Sequence, residues 1–198
     1  METSPSRTIF LTGASSGIGA AIARILVAHG HQVFATARRE EALEQVAQEA
    51  MAGATGNGRI LTGVMDVLDP GAQQKAVARC VAEFGKLDVV IPNAGLGIFS
   101  PLDQAELDDW MTMVDVNVKG VLITLHVSLP HLIEHQGLVI NMGSVASRNV
   151  FPNSGVYCAT KHAVLALGEA IRQDLKEKVA TTTICPGAVN TAFIEQTK

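Results

Sequence analysis

Residues 7–19, Arg7-Thr8-Ile9-Phe10-Leu11-Thr12-Gly13-Ala14-Ser15-Ser16-Gly17-Ile18-Gly19, decide how this chain folds. Arg7–Thr12 is a short β-branched and aromatic run that reads as a strand and ends in a Gly-Ala-Ser-Ser-Gly turn. Beyond the turn, Ile18, Ile22, Ile25 and Leu26 recur at helical spacing over Gly17–His29, and Gly30 stops the helix. Glycines between a strand and a helix let the backbone turn tightly and approach a pyrophosphate. The helix N-terminus then offers unpaired N–H groups and a partial positive charge to the same anion. Gly13, Ser15, Ser16, Gly17, Ile18 and Gly19 are therefore candidate cofactor-binding residues. An ordinary strand–helix turn has the same local look, so the rest of the chain has to agree.

The alternation continues outward from that stretch. Gln32–Ala37 reads as strand, and Glu40–Met51 as helix with Glu40 and Glu41 in its first turn, where the helix dipole favours acids. Gly53–Gly58 is a loop. Arg59–Asp66 reads as strand, Pro70–Phe84 as helix with proline at its start, and Leu87–Pro92 as strand. A glycine-rich loop leads to a long helix over Leu107–Glu134. Gly137–Met142 then reads as strand, Val156–Lys178 as helix and Thr181–Cys185 as strand. Six strands with five helices between them predict an α/β fold: a doubly wound, Rossmann-like parallel sheet in three αβα layers. The strands are nearly all apolar, which predicts burial on both faces. No repeat or linker divides the chain, so residues 1–198 are expected to form one domain.

Composition narrows the function classes. Apolar residues make up 47% of the 198 and charged residues 17%, enough for a sizeable core and too apolar for disorder. The formal net charge is −4 with no basic block, which argues against nucleic acid as a partner. No run approaches the roughly 18 apolar residues of a membrane span, and the short polar N-terminus has no signal-like core. Cys80, Cys158 and Cys185 are odd in number and widely spaced, unlike a disulfide framework or zinc site, so a cytoplasmic, reducing setting is expected.

In a doubly wound sheet the ligand lies beyond the carboxyl ends of the strands. After the second strand stand Arg38 and Arg39, where an NAD site carries an acid for the ribose hydroxyl. A guanidinium pairs bidentately with a 2′-phosphate, so NADP(H) is the favoured cofactor. NAD(H) stays open because Glu40 and Glu41 follow directly, although they read as first-turn helix acids.

Tyr157 is the single tyrosine of the chain, and Lys161 lies four residues later on the same predicted helix face. Ser144 sits thirteen residues before Tyr157, just past the fifth strand. These types suit reversible proton transfer to an alkoxide. A phenol of pKa about 10 holds its proton too tightly to act as a base at neutral pH. A neighbouring ammonium is expected to lower that value by roughly 1–3 units. Ser144 can hydrogen-bond the substrate oxygen, and Lys161 can also hold ribose hydroxyls. His131 and His135, four apart, lack an obvious third metal ligand and read as solvated. Cys158 reads as a packed bystander, and Trp110, Met111, Met113 and Val114 as core or subunit interface.

With these residues in order, the chain from about Thr8 to Ile194 resembles the short-chain dehydrogenase/reductases. Thr12-Gly13-x-x-x-Gly17-x-Gly19 looks like that family's cofactor loop, and Asp66-Val67 like its adenine-contacting pair. Asn93-Ala94-Gly95 looks like the loop that backs the cofactor, with Pro92 where the family usually has asparagine. The resemblance implies that Asn117, Ser144, Tyr157 and Lys161 form a catalytic tetrad, with the Asn117 backbone carbonyl holding a relay water. It also implies that Pro186, Gly187, Val189 and Thr191 contact the nicotinamide end. Family members commonly pair into homodimers or homotetramers through the long helix and the tyrosine helix. They usually continue with a substrate-covering segment and a seventh strand, so the natural product is expected to extend past Lys198.

The expected function is NADP(H)-dependent hydride transfer between nicotinamide and a ketone, aldehyde or secondary alcohol, with Tyr157 as acid–base group. The expected partner is that small molecule, with neither nucleic acid nor membrane. A cofactor-binding but inactive sensor or scaffold is the alternative from another class, and an NAD-linked alcohol dehydrogenase the alternative among enzymes. Phe99, Val150 and Phe151 suggest an apolar substrate wall; the substrate itself is not legible.

Overall fold

A computed structural model describes residues 5–190. Its strands are β1 (Thr8–Thr12), β2 (Gln32–Ala37), β3 (Arg59–Val64), β4 (Val89–Ile91), β5 (Leu138–Met142) and β6 (Ala180–Ile184). They form one parallel sheet in the order β3-β2-β1-β4-β5-β6. The helices are α1 (Gly17–Ala28), α2 (Glu40–Ala52), α3 (Pro70–Phe84), α4 (Leu107–Val114), α5 (Gly120–Glu134) and α6 (Gly155–Asp174).

The period-two alternation of β1 sorts the core into two layers. Ile9 and Leu11 face α1 and α2, where they pack with Ala20, Ala23, Val27, Leu43 and Val46. Phe10 faces the other way and packs with Val77 of α3, Val121, Leu125 and Leu132 of α5, and Val164 and Ile171 of α6. Phe10 and Phe34 stack there with centroids 5.9 Å apart. The sheet is therefore covered on both faces, as the alternating elements required.

Four expectations need correction. Strand β3 ends at Val64 rather than Asp66, which frees Asp66 and Val67 for the loop: the Asp66 carboxylate accepts the Leu68 N–H at 2.9 Å. Helix α6 ends at Asp174 rather than Lys178, because Lys178 and Val179 turn back onto the Leu175 carbonyl. Burial on both faces holds for β1, β2 and β4 but not for β3 and β6, which lie at the sheet margins with exposed positions. The threonines of β6 carry that half-solvated role.

The fourth correction concerns the long helix. Residues Leu107–Glu134 run continuously, but Asp115–Lys119 form a π-turn between α4 and α5, with Gly120 N–H reaching the Asp115 carbonyl. One extra residue per turn rotates the helix face at Asn117. By length and composition the whole rod could cross a bilayer, which a count of apolar runs missed because Asp115, Lys119 and His126 interrupt it. In this fold one face of it packs on the sheet through Val121, Leu125 and Leu132.

Gln73 of α3 braces the same region. Its side chain is fully buried; its amide donates to the Val67 carbonyl at 2.7 Å and the Gly120 carbonyl at 3.3 Å, and its oxygen accepts from Thr124 Oγ1 at 2.8 Å. Gln73→Leu keeps the volume and strands these polar groups, so it is expected to lower stability by about 2 kcal/mol in urea unfolding. An unchanged midpoint would show that the bridge contributes nothing.

Candidate active site

The strand order reverses direction between β1 and β4, and the chains leaving their carboxyl ends separate into a crevice. Thr12 and Asn93 fix its floor. Thr12 Oγ1 accepts the backbone N–H groups of Asn93 and Ala94 at 3.1 and 3.0 Å, while the Asn93 amide donates to the Thr12 and Gly13 carbonyls at 2.9 and 3.1 Å. The Asn93 side chain thus locks the glycine loop to the loop after β4. Pro92 lacks an N–H, but the donors after it are intact and used.

The crevice opens into a cavity of about 640 Å³. Gly13, Ser15, Ser16, Gly17, Ile18, Gly19, Arg38, Arg39, Asp66, Val67, Asn93, Ala94, Gly95, Ser144, Tyr157, Lys161, Pro186, Gly187 and Val189 all line it. Thr191 lies outside the described residues. Asn117 does not line the cavity; its neighbour Val116 does.

The glycine loop fits a pyrophosphate. Gly13 (φ +68°) and Gly17 (φ +55°) occupy left-handed backbone. A Cβ on Gly13 would stand 2.7 Å from the Ala94 backbone, and one on Gly19 would collide with the Gly13 carbonyl. The N-cap residue of α1, Ser16, makes no side-chain capping bond, and no acid lies in the first turn. The first N–H groups of that helix thus face the cavity edge without a protein anion. Arg38 and Arg39 are exposed at the end of β2, and among the described residues neither forms an ion pair.

Ser144, Tyr157 and Lys161 converge at the β5 end. Ser144 caps the short 3₁₀ turn Val145–Ser147: its hydroxyl accepts the Ala146 N–H at 3.1 Å, and the Ser147 hydroxyl accepts the Ser144 N–H at 3.1 Å. That reciprocal capping box holds the serine against the Tyr157 hydroxyl, with which it hydrogen-bonds. Phe99 meets the Tyr157 ring edge to face at 5.4 Å and 83°. Lys161 is only 8% exposed; its Nζ donates to the Met142 carbonyl at 2.9 Å and lies 5.9 Å from the Tyr157 ring centroid.

Electrostatics here run against one expectation. Burial raises the Tyr157 phenol above its ordinary value, the Ser144 hydrogen bond pulls it back, and Cys158 raises it further. The lysine does not produce the expected lowering in the protein alone. Burial drives Lys161 itself down to about 8, opposed by Cys185, and its donor is turned to a backbone carbonyl.

Asn117 is a keystone of this arrangement. It is 1% exposed; its side chain accepts the Leu96 N–H at 2.8 Å and donates to the Leu96 carbonyl at 2.7 Å and to Thr160 Oγ1 at 3.1 Å. The side chain therefore pins the loop after β4 to α6, one residue before Lys161. Sequence reading missed Thr12, Gln73 and Thr160 in their bracing roles, since a single threonine or glutamine carries no spacing signal. Among the described residues no group of three His, Cys, Asp or Glu could hold a metal, and His131 and His135 find no third ligand. Cys158 is packed inside, near Ser154.

A three-layer parallel sheet with a glycine loop at its switch point and a Ser–Tyr–Lys cluster at the next strand end defines a nucleotide-dependent oxidoreductase. Residues 7–198 match the family description "short chain dehydrogenase". Serine 3-dehydrogenase of Agrobacterium fabrum is 39% identical over 191 residues, covering 95% of this chain and 74% of the relative. The alcohol dehydrogenase of Thermococcus sibiricus, solved with 5-hydroxy-NADP, superposes with a TM-score of 0.90 at 32% identity, covering 98% of this chain and 81% of the other. A short-chain dehydrogenase/reductase of Burkholderia phymatum, solved with NAD, superposes at 0.90 with 28% identity, covering 98% and 70%. The chain belongs to the short-chain dehydrogenase/reductase family. It is an oxidoreductase of the kind that acts on alcohol and carbonyl groups, with relatives that bind NAD or NADP.

Proposed function

We propose that this protein transfers a hydride between NADP(H) and a carbonyl or alcohol carbon, with Tyr157 moving the proton. The observation that carries the reading is the convergence of Ser144, Tyr157 and Lys161 in one cavity with the uncapped end of α1. When bound, the dinucleotide supplies or accepts the hydride. The protein's residues handle position and proton. Ser144 hydrogen-bonds the substrate oxygen and stabilises charge developing on it. Tyr157, held protonated by burial, gives its proton to that oxygen during reduction. Lys161 holds ribose hydroxyls at the same end of the cavity. Lys161 passes a proton on towards the Tyr157 phenolate, and the Asn117 backbone would hold the water that replaces the lysine's proton from solvent.

Arg38 and Arg39 support NADP, since two exposed guanidiniums line the cavity with no acid at the end of β2. Relatives include both NADP- and NAD-bound structures, so the residues rather than the family carry this preference. An NAD-linked alcohol dehydrogenase is the second reading, favoured by the NAD-bound neighbour. We also propose self-association through the long helix. Leu107, Met111, Val114 and Leu122 stand exposed along it at helical spacing, and Met113 faces the core. A small carbonyl or alcohol is the remaining partner in this reading, and a cytoplasmic setting accords with three free cysteines.

The test is steady-state oxidation of NADPH with simple ketones and aldehydes, alongside oxidation of the matching alcohols across pH. A raised phenol pKa keeps the donor form full at neutral pH, so reduction is expected to be flat there and to fall only above the ordinary tyrosine range. Alcohol oxidation needs the phenolate and should rise about tenfold per pH unit below that range. Absence of turnover in both directions would favour a cofactor-binding, inactive protein.

A further inference from the structure

The cavity has two chemically different ends. Beyond β2 it is bounded by Arg38 and Arg39; around the reacting hydroxyls its wall is Leu96, Phe99, Val145, Phe151, Pro152 and Val189. In the order β2-β1-β4-β5 these ends lie three strand spacings apart, about 14 Å, so the guanidiniums serve the far end. Among the described lining residues the one cation at the near end is Lys161, which is buried and donates to the Met142 carbonyl. The Ser154 hydroxyl, also at this end, is turned to the Phe151 carbonyl at 2.8 Å.

The apolar wall is partly open to water. Val145, Phe151 and Val189 are each more than 40% exposed at the cavity, while Phe99 is fixed against the Tyr157 ring. Large apolar side chains left wet around a concave site mark a surface that gains by being covered. A carboxylate or sulfonate laid there would lose water, and among the described lining residues of this end the one cation, Lys161, is already turned to the Met142 carbonyl.

We infer that the substrate is an uncharged carbonyl compound, or its alcohol, whose apolar substituent lies against Phe99 and Phe151, and that anionic keto acids are discriminated against. This rests on reading the cavity as a carbonyl-reducing site with Tyr157 as proton donor.

The test compares 2-butanone, 2-pentanone and 2-hexanone with 5-oxohexanoate, in which a carboxylate replaces the terminal methyl of 2-hexanone. kcat/KM is expected to rise about fourfold per methylene along the ketones, the equivalent of burying one CH₂. 2-Hexanone should exceed 5-oxohexanoate by at least about tenfold. Phe151→Arg should narrow that ratio by raising kcat/KM for the acid and lowering it for the ketone. A flat ketone series, or 5-oxohexanoate turned over as well as 2-hexanone, overturns the inference. If that turnover is abolished by Tyr157→Phe, the underlying reading survives and only the substrate class falls. If the unaltered protein turns over none of the four, both fall.

Discussion

Replacing Tyr157 by phenylalanine is expected to lower turnover by at least about 10²-fold, the low end of what a positioned acid–base group contributes, while NADPH still binds. The substitution removes one oxygen and little else. The ring keeps its edge-to-face contact with Phe99 and its place 5.9 Å from Lys161 Nζ. The Ser144 backbone stays fixed by its capping box with Ser147. Cofactor contacts assigned to the glycine loop lie on other strand ends and are untouched. Two measurements separate the roles: kcat with 2-hexanone reports the proton, and a fluorescence titration with NADPH reports the cofactor. Turnover near that of the unaltered protein would refute the assignment. Loss of NADPH binding together with turnover would mean the tyrosine holds the site's shape rather than its chemistry.

What could be foreseen follows from how local each signal is. The glycine loop was legible because strand, turn and helix are contiguous, and the cavity lies where their geometry put it. Tyr157 and Lys161 were legible as a pair because four residues on a helix fix a shared face. The all-apolar run Ile9-Phe10-Leu11 was legible as a strand buried on both faces, and its residues pack into a core on each side of the sheet. Burial of the margin strands was misjudged for a related reason: period two gives the faces of a strand but not its place in the sheet order. The threonines of β6 were the available hint.

The rest depended on contacts distant in sequence. The π-turn at Asp115–Lys119 leaves no mark in composition, yet it sets where the Asn117 backbone points, while the side chain grips Leu96 and Thr160. Gln73 joins α3 to Val67 and Thr124 across 47 or more residues in its bonds to α5. Charge was the least legible. Spacing placed an ammonium beside a phenol, but burial turned out to be the first cause of both shifts, raising Tyr157 and lowering Lys161 to about 8. That lowering has a consequence for the protein without ligand. A lysine depressed from about 10.5 binds fewer protons folded than unfolded between pH 8 and 10.5, so its contribution to stability improves as pH rises through that window.

Arg38→Ala is expected to weaken NADPH binding about 10- to 100-fold, the loss of one charge-assisted bond to a phosphate at roughly 1.5–3 kcal/mol, and to leave NADH nearly unaffected. The guanidinium stands exposed at the end of β2, beside Arg39, and among the described residues it forms no ion pair whose loss would disturb the fold. The change therefore falls on the ligand alone. A 2′-phosphate carries about −1.5 to −2 charges, whereas the ribose hydroxyl of NADH offers a neutral group that a guanidinium serves poorly. The ratio of the two dissociation constants isolates that difference, since the pyrophosphate contacts proposed for Gly13–Gly19 would be common to both dinucleotides. Arg38→Lys should recover only part of the affinity, because an ammonium keeps the charge and loses the bidentate fork. Equal weakening of NADH and NADPH by Arg38→Ala would assign the arginine to a contact both share, and would move the cofactor assignment to NAD.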